Sequence, residues 1–309
     1  MELISADRDL SGLFHSPIMS LGNFDGVHLG HQLLIRRVCE DARKEGVSSV
    51  VYTFDPHPLS VLTPQRCPPL ITSHGQKIEL ISALGVQFIL VARFTPSYAA
   101  QSAREFVEKI IHRQIGPKKI IIGENFSFGR NRQGDPGLLA ELGGTMGFEV
   151  EAVPRVRLED TVVSSTLIRD FLIRGEVRAA SRYLGRHHKI EGMVITGHNR
   201  GRAMGYPTAN ISLTGGICPA EGVYAVRVKI GKDLWPGVSS IGRNLTFGEE
   251  PLSIEVHIFG LEENLYGKEI KILFVERLRD QCRFAGMAEL IAQISQDVAR
   301  SKEILARAR

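Results

Sequence analysis

The chain has 309 residues, of which 43% are apolar and 23% charged, and its formal net charge is +4. That length exceeds most single domains, and that balance is usual for a packed globular protein, so a disordered chain is excluded. The basic excess is small and forms no dense Lys/Arg run; it fits surface solvation with a mild preference for anionic small molecules, and argues against nucleic acid as a partner.

The cysteines Cys39, Cys67, Cys218 and Cys282 are far apart and form no C-x-x-C pair. Neither a metal ribbon nor a disulfide framework is expected, and a reducing, cytoplasmic setting fits. The first residues, MELISADRDLSG, carry acids and lack the apolar core of a secretory signal. No run reaches the roughly 18 apolar residues a membrane span needs, so no membrane association is expected.

In chain order, Ile18 to Leu21 reads as a short buried strand, followed by a Gly/Asn/Asp loop and a helix from about residue 28 to 44, with Gly46 at its C-terminal cap. Ser49 to Phe54 is a β-branched and aromatic second strand. A helix over 73–84, a strand over 86–91, a helix over 102–115 closed by Gly116, and a strand over 118–122 follow. A short helix over 138–146 and a strand over 148–153 complete an α/β domain with a mostly parallel sheet. Residues 164–183 read as one or two helices. The character changes near residue 185, giving a division into 1–184 and 185–309. From 187 to about 277 short alternating strands and turn glycines suggest a small antiparallel barrel, and 287–306 is a terminal helix with Leu290, Ile291, Ile294 and Val298 on one face.

The segment Gly22-Asn23-Phe24-Asp25-Gly26-Val27-His28-Leu29-Gly30-His31 stands where the first strand hands over to the first helix. Ligands bind at the carboxyl ends of strands in open α/β sheets, and a helix N-terminus suits phosphate. Gly22, Gly26 and Gly30 allow close backbone approach, and His28 and His31 share a helix face. Two imidazoles there can stabilise charge developing at an α-phosphorus. The alternative is a tight turn with two surface histidines, but H-x-G-H at a strand-to-helix turn is far more specific than that. The segment matches neither a P-loop nor a dinucleotide fingerprint.

Further on, the hydroxyls at the helix start Ser164-Ser165-Thr166, with Arg169 one turn later, make an anion site or an ordinary N-cap. The loop Gly197 to Asn210 is dense in glycine and basic residues and can fold over phosphates. Thr208 and Asn210 are two apart, so in an extended segment they face one side with oxygens of the kind Mg²⁺ accepts; a Thr/Asn turn fits the same residues. On the strand Leu252 to Ile258, Ser253, Glu255 and His257 fall on one face and aliphatics on the other. Alone, that pattern favours a solvated face for Glu255.

GNFDGVHLGH resembles the H-x-G-H loop of the nucleotidylyl transferase superfamily, in the form found in bacterial bifunctional riboflavin kinase/FAD synthetases. The likeness covers nearly the whole chain. YTFDPHP (52–58), IGENFSFG (122–129) and SSTLIR (164–169) resemble that family's later adenylyltransferase motifs, and RGRAMGYPTAN (200–210) resembles its kinase motif almost unchanged. The pieces EGVY (221–224), GRNLTFG (242–248), EVH (255–257) and LYGK (265–268) continue it.

The resemblance implies a Rossmann-like N-terminal domain and a six-stranded antiparallel kinase barrel with a terminal helix. It implies ATP binding for adenylyl transfer at Gly22, Asn23, Phe24, Asp25, Gly26, Ser165, Thr166 and Arg169, with His28 and His31 catalytic. Flavin would meet Phe54, Pro56, Pro58 and Asn125, although Phe54, Phe126 and Phe128 fit a core role equally. In the kinase, Gly197, Arg200, Gly201, Arg202, Gly205 and Pro207 would bind ATP, Thr208 and Asn210 would hold Mg²⁺, and Glu255 would be the base. Riboflavin would become FMN in the barrel, and FMN would attack a second ATP to give FAD and pyrophosphate.

The chain departs from the family pattern at Leu167, Leu245, Gly260 and Gln281, where Arg, Pro, Asp and Glu are usual. Two other readings were weighed. A cytidylyl or other adenylyl transferase would lack the PTAN segment, and an OB-like nucleic-acid module would call for an aromatic-rich basic groove.

Overall fold

The structure, a computed structural model, describes residues 1–196, 201, 204–243 and 252–307. Two compact units are present: Met1–Pro68 with His74–Ser164, and Pro69–Ser73 with Ser165–Arg309.

The first unit holds a six-stranded sheet in the order β1-β4-β3-β2-β5-β6. The strands are β1 (Glu2–Ser5), β2 (Ile18–Leu21), β3 (Ser49–Asp55), β4 (Phe88–Arg93), β5 (Lys119–Gly123) and β6 (Glu149–Val153). Every neighbouring pair is parallel. Strands buried on both faces should read as continuous apolar runs, and they do: Ile18, Met19, Val50, Val51, Tyr52 and Ile120 to Ile122 are all buried.

Alternate residues on the strands face different cores. Val50, Tyr52, Ile120 and Ile122 join the cluster with Phe106, Val107, Ile111, Leu139 and Leu142, from helices α5 (Ala103–Phe106), its π-helical continuation Val107–Ile115, and α6 (Pro136–Met146). Val51 and Ile89 pack instead with Ile35, Ile78 and Ile81, from α1 (Leu29–Glu45) and α3 (His74–Ser82). The helices therefore cover both faces. Two short helices, α2 (Pro58–Leu62) and α4 (Pro96–Ala99), follow the ends of β3 and β4.

Glycines close these helices where the sequence places them. Gly46, Gly116 and Gly147 sit at left-handed C-caps with φ of 67°, 60° and 82°. Ser102 opens α5 with a capping box to Glu105. The sequence reading missed β1, an edge strand too short for an alternation signal. It also missed the small hairpin β7 (Arg157–Leu158) and β8 (Thr161–Val162).

The second unit begins with helices α7 (Ser165–Ile173) and α8 (Val177–Leu184), separated by Gly175 at φ 75°. The sequence reading divides the chain at 184/185, whereas these helices group with the residues after them. The reason is in the contacts: the Ala220 amide donates to the Leu172 carbonyl, and Arg277 donates to the carbonyls of Arg174 and Glu221.

Six antiparallel strands then close a barrel in the order β10-β13-β12-β11-β14-β9. They are β9 (His188–Ile195), β10 (Ala209–Gly215), β11 (Gly222–Ile230), β12 (Asp233–Gly242), β13 (Ser253–Ile258) and β14 (Glu269–Arg279). Tyr224 and Phe274 are fully buried, edge to face at 5.3 Å. The other face of β11, with Val223 and Ala225, packs under the terminal helix α9 (Met287–Arg307) through Val298 and Leu305. A forked ion pair pins α9: Arg279 reaches both oxygens of buried Asp297, with Nη2 donating to Oδ2 at 2.7 Å and Nε to Oδ1 at 3.1 Å.

Gly175 illustrates how tightly α8 enters this unit. A Cβ there would meet Tyr224 Oη at 2.8 Å and the Arg277 guanidinium at 3.0 Å. Gly175→Ala should therefore cost more than about 1 kcal/mol, from the left-handed backbone and the crowding together. Gly231→Ala, also at positive φ but in open space, isolates the backbone part. Urea denaturation should place the midpoint of Gly175→Ala clearly below that of Gly231→Ala; equal midpoints would show that the crowding is absorbed.

Candidate functional site

The loop from Gly22 to His28 leaves the carboxyl end of β2, where the strand order turns outward to β3 on one side and β5 on the other. This is the switch point at which open sheets bind ligands. The loop is held under backbone strain. Phe24 and Val27 take φ of 52° and 39°, a region that bulky and β-branched residues avoid, and Gly26 takes 80°. The Phe24 ring is an anchor in the core, 1% exposed, so its backbone is the part left to meet a ligand. Gly22 is required beneath it, since a Cβ would sit 2.9 Å from that ring.

His28 is the N-cap of α1, and its Nδ1 accepts the His31 amide at 3.3 Å. An imidazole accepting at Nδ1 carries its proton on Nε2, so His28 presents an N–H donor from the other side of its ring. The His31 ring stacks on it, centroids 3.6 Å apart and 17° between planes. Gly30 makes this stacking feasible: a Cβ would stand 3.1 Å from the His28 ring. The first turn of α1 has no acidic residue and its last turn has Arg43 and Lys44, which leaves the positive end of the helix dipole for an anion.

The end of β3 is tied to this loop. The Gly22 amide donates to the Tyr52 carbonyl and the Thr53 hydroxyl to the Asn23 carbonyl. Phe54, half-buried, faces Phe94 and Tyr98 edge-on at 5.6 and 5.9 Å. The Tyr52 and Tyr98 hydroxyls meet at 2.9 Å, and burial pushes both phenols up, Tyr52 to about 12. Pro56 follows a cis peptide bond and Pro58 opens α2. Asn125 is exposed in the turn after β5. Phe128 is core, 8% exposed, while Phe126, half-buried, stacks on it.

The sequence reading passed over Phe94, Tyr98 and Lys77. Lys77, on α3, is 8% exposed and its Nζ donates to the Phe54 carbonyl at 2.8 Å. Burial pushes this ammonium down to about 8 against the pull of Asp55 and Asp25. One lysine in an amphipathic helix carries no pattern, so only folding reveals it.

In the second unit, β10 and β13 pair with Asn210 directly opposite Glu255, and β12 places Ser240 opposite Glu255 from its other side. Residues paired in this way share a face. The Thr208 hydroxyl donates to Glu255 Oε2 at 3.2 Å. Thr208, Asn210 and Glu255 are thus brought together, as expected. His257 Nδ1 lies 2.8 Å from the Pro207 carbonyl and fastens the same segment. Gly201 packs under it, where a Cβ would stand 2.3 Å from the Tyr206 carbonyl oxygen, and Gly205 has a φ of 81°. Gly197, Arg200, Arg202 and Leu245 lie outside the described residues. Gln281 donates its amide to Ser240 Oγ at 2.8 Å and to the Ile241 carbonyl at 3.0 Å, the second of which a glutamate could not supply.

Ser165 and Thr166 occupy the first turn of α7. Arg169 on the same helix is 9% exposed, and its Nε donates to the Pro69 carbonyl at 2.8 Å.

Two family models match the chain, FAD synthetase over residues 13–167 and riboflavin kinase over 184–305. The bifunctional riboflavin kinase/FMN adenylyltransferase of Escherichia coli K12 is 33% identical over 96% of this chain and 96% of its own length. That of Pseudomonas fluorescens is 35% identical over 99% and 98%. A crystal structure from Streptococcus pneumoniae, described as a macrolide-efflux protein, matches with a TM-score of 0.86 and 31% identity over 97% of this chain and 98% of that one. That description is the other protein's own; among the described residues here, no helix is long and apolar enough to cross a membrane. By the family models and the near full-length relatives, the chain belongs to the bifunctional riboflavin kinase/FMN adenylyltransferase family.

Proposed function

We propose that the chain runs its family's two reactions at two separate places, each with its own ATP. Residues 1–184 adenylylate FMN to FAD and residues 185–309 phosphorylate riboflavin to FMN. The observation that carries this reading is the barrel cluster. Glu255, distant in sequence from Thr208 and Asn210, pairs with Asn210 across the barrel and accepts the Thr208 hydroxyl, an arrangement adenylyl transfer has no use for.

In the kinase, Glu255 takes the proton from the riboflavin 5′-hydroxyl as that oxygen attacks the γ-phosphorus, and ADP leaves. The Thr208 hydroxyl gives its proton to Glu255 and keeps its lone pairs for a cation. Thr208 and Asn210 offer hard oxygens, which fits magnesium arriving with ATP. Bound there, the metal supplies positive charge to the phosphoryl oxygens. Gly197, Arg200, Gly201, Arg202, Gly205 and Pro207 bind the ATP.

In the adenylyltransferase, an FMN phosphate oxygen attacks the α-phosphorus and pyrophosphate leaves. The nucleophile is already ionised, so no covalent enzyme intermediate is needed. His28 donates from Nε2 to an α-phosphate oxygen as its charge grows, with His31 beside it. Gly22, Asn23, Phe24, Asp25 and Gly26 offer backbone to ATP, while Ser165, Thr166 and Arg169 bind its phosphates. Phe54, Pro56, Pro58 and Asn125 meet the flavin, a reading supported by the half-buried aromatic group of Phe54, Phe94 and Tyr98. The four free thiols support a reducing, cytoplasmic setting.

Chromatography of the products from riboflavin, ATP and Mg²⁺ should show FMN and then FAD. His28→Ala should slow FAD formation about 10²–10³-fold and leave FMN formation intact. Glu255→Gln should slow FMN formation about 10²–10⁴-fold yet adenylylate supplied FMN normally. Loss of both activities from either folded variant would sink the two-site assignment. Gly30→Ala, which presses on the His28 ring, should lower FAD formation alone, and an unchanged rate would show that the stacked geometry is dispensable.

A further inference from the structure

We propose that Lys77 is a positioning residue for adenylyl transfer, clamping the end of β3 to the H-x-G-H loop through its buried ammonium group. The role rests on the FMN adenylyltransferase reading above. Lys77 reaches from α3, outside every motif recognised in the sequence, to the Phe54 carbonyl at 2.8 Å. That carbonyl belongs to the strand end carrying Phe54 and the Pro56 turn. The charges facing the ammonium come from both sides of the site: Asp55 from the end of β3, and buried Asp25 from the loop between β2 and α1. On its own helix, His74 Nδ1 lies 3.5 Å from Asp55 Oδ1, one turn before Lys77.

A lysine buried this deeply is costly unless hydrogen-bonded and paired, and a neutral core residue would fill the same space more cheaply. What the ammonium adds is a fixed geometry. One charged head holds a carbonyl on β3 and faces the carboxylate next to Phe24, on a loop already bonded to β3 through the Thr53 hydroxyl and the Gly22 amide, so it favours one spacing of the flavin-side strand and the phosphate-side loop. A misplacement of about 1 Å between two reacting partners can cost about 10²-fold in rate, so this rigidity bears on turnover. Lys77 touches neither reacting atom, and its effect passes through the two segments it joins.

The charge also makes the role readable. Burial brings the Lys77 titration down to about 8. Burial lowers His74 from its ordinary value, which keeps its titration on the acid side of that point. FAD formation from supplied FMN, ATP and Mg²⁺ should therefore fall in the wild type as pH rises through about 8, with kcat falling more than KM. Lys77→Arg stays charged and should retain the neutral-pH rate within a few fold while losing the alkaline fall. Lys77→Met should be about 10- to 100-fold slower at neutral pH with no alkaline fall. FMN formation, followed in the same samples, should be unchanged in all three. A wild-type alkaline fall that persists in Lys77→Arg and Lys77→Met would overturn the proposal, as would a Lys77→Met kcat equal to the wild type. Failure of the wild type to make FAD would instead sink the reaction assignment on which this role stands.

Discussion

Strand β2 lies at the middle of the first sheet, and the chain winds away from it in both directions, to β3 and β4 on one side and to β5 and β6 on the other. The connections diverge at its carboxyl end, the switch point of the sheet. The H-x-G-H loop stands at that point. It is short and held at positive φ by Phe24, whose ring is locked in the core, so it delivers His28 to the start of α1 in a fixed orientation. The glycines follow from the same crowding: Gly22 yields to Phe24 and Gly30 to His28. Strain in the loop is sustained by packing beneath it, so the site draws its order from the core.

The barrel solves a different problem. Its site is assembled from strands, and its precision comes from register. A shift of one residue between β10 and β13 would turn Glu255 away from Asn210. Closure leaves no free edge to slip, and the ladder continues from β9 around to β10. The terminal helix locks the far side, where Arg279, Asp297 and the Ser301 hydroxyl bonded to the Gly237 carbonyl join it to β14 and β12.

Each unit carries a core of its own, one built on two-faced parallel strands and the other on an antiparallel barrel. With distinct packing in each, a substitution in one core is buffered from the other. The division also gives α7 and α8 a defined allegiance. Ser165 to Arg169, which resemble an adenylyltransferase phosphate motif, fold with the second unit, where the Leu172 carbonyl accepts the Ala220 amide.

The sequence by itself determined the order of the elements, the glycine-closed helix ends, the parallel and antiparallel halves, and both motifs. These rest on local signals: period, caps and spacing along one segment. It placed His28 beside His31 and Thr208 beside Asn210, since each pair lies within one turn or strand. It left open whether Phe128 was core or contact and where the Phe24 ring lies, and passed over β1, Lys77 and Tyr98. Tertiary structure decided those. Whether an aromatic is buried depends on what packs over it, and a buried lysine is defined by the carbonyl and carboxylates that meet it from other elements. Glu255 shows the distinction most clearly: its strand alone reads as a solvated face, and only the register of β10 against β13 brings it to Thr208 and Asn210, because long-range pairing leaves no trace in the residues on either side.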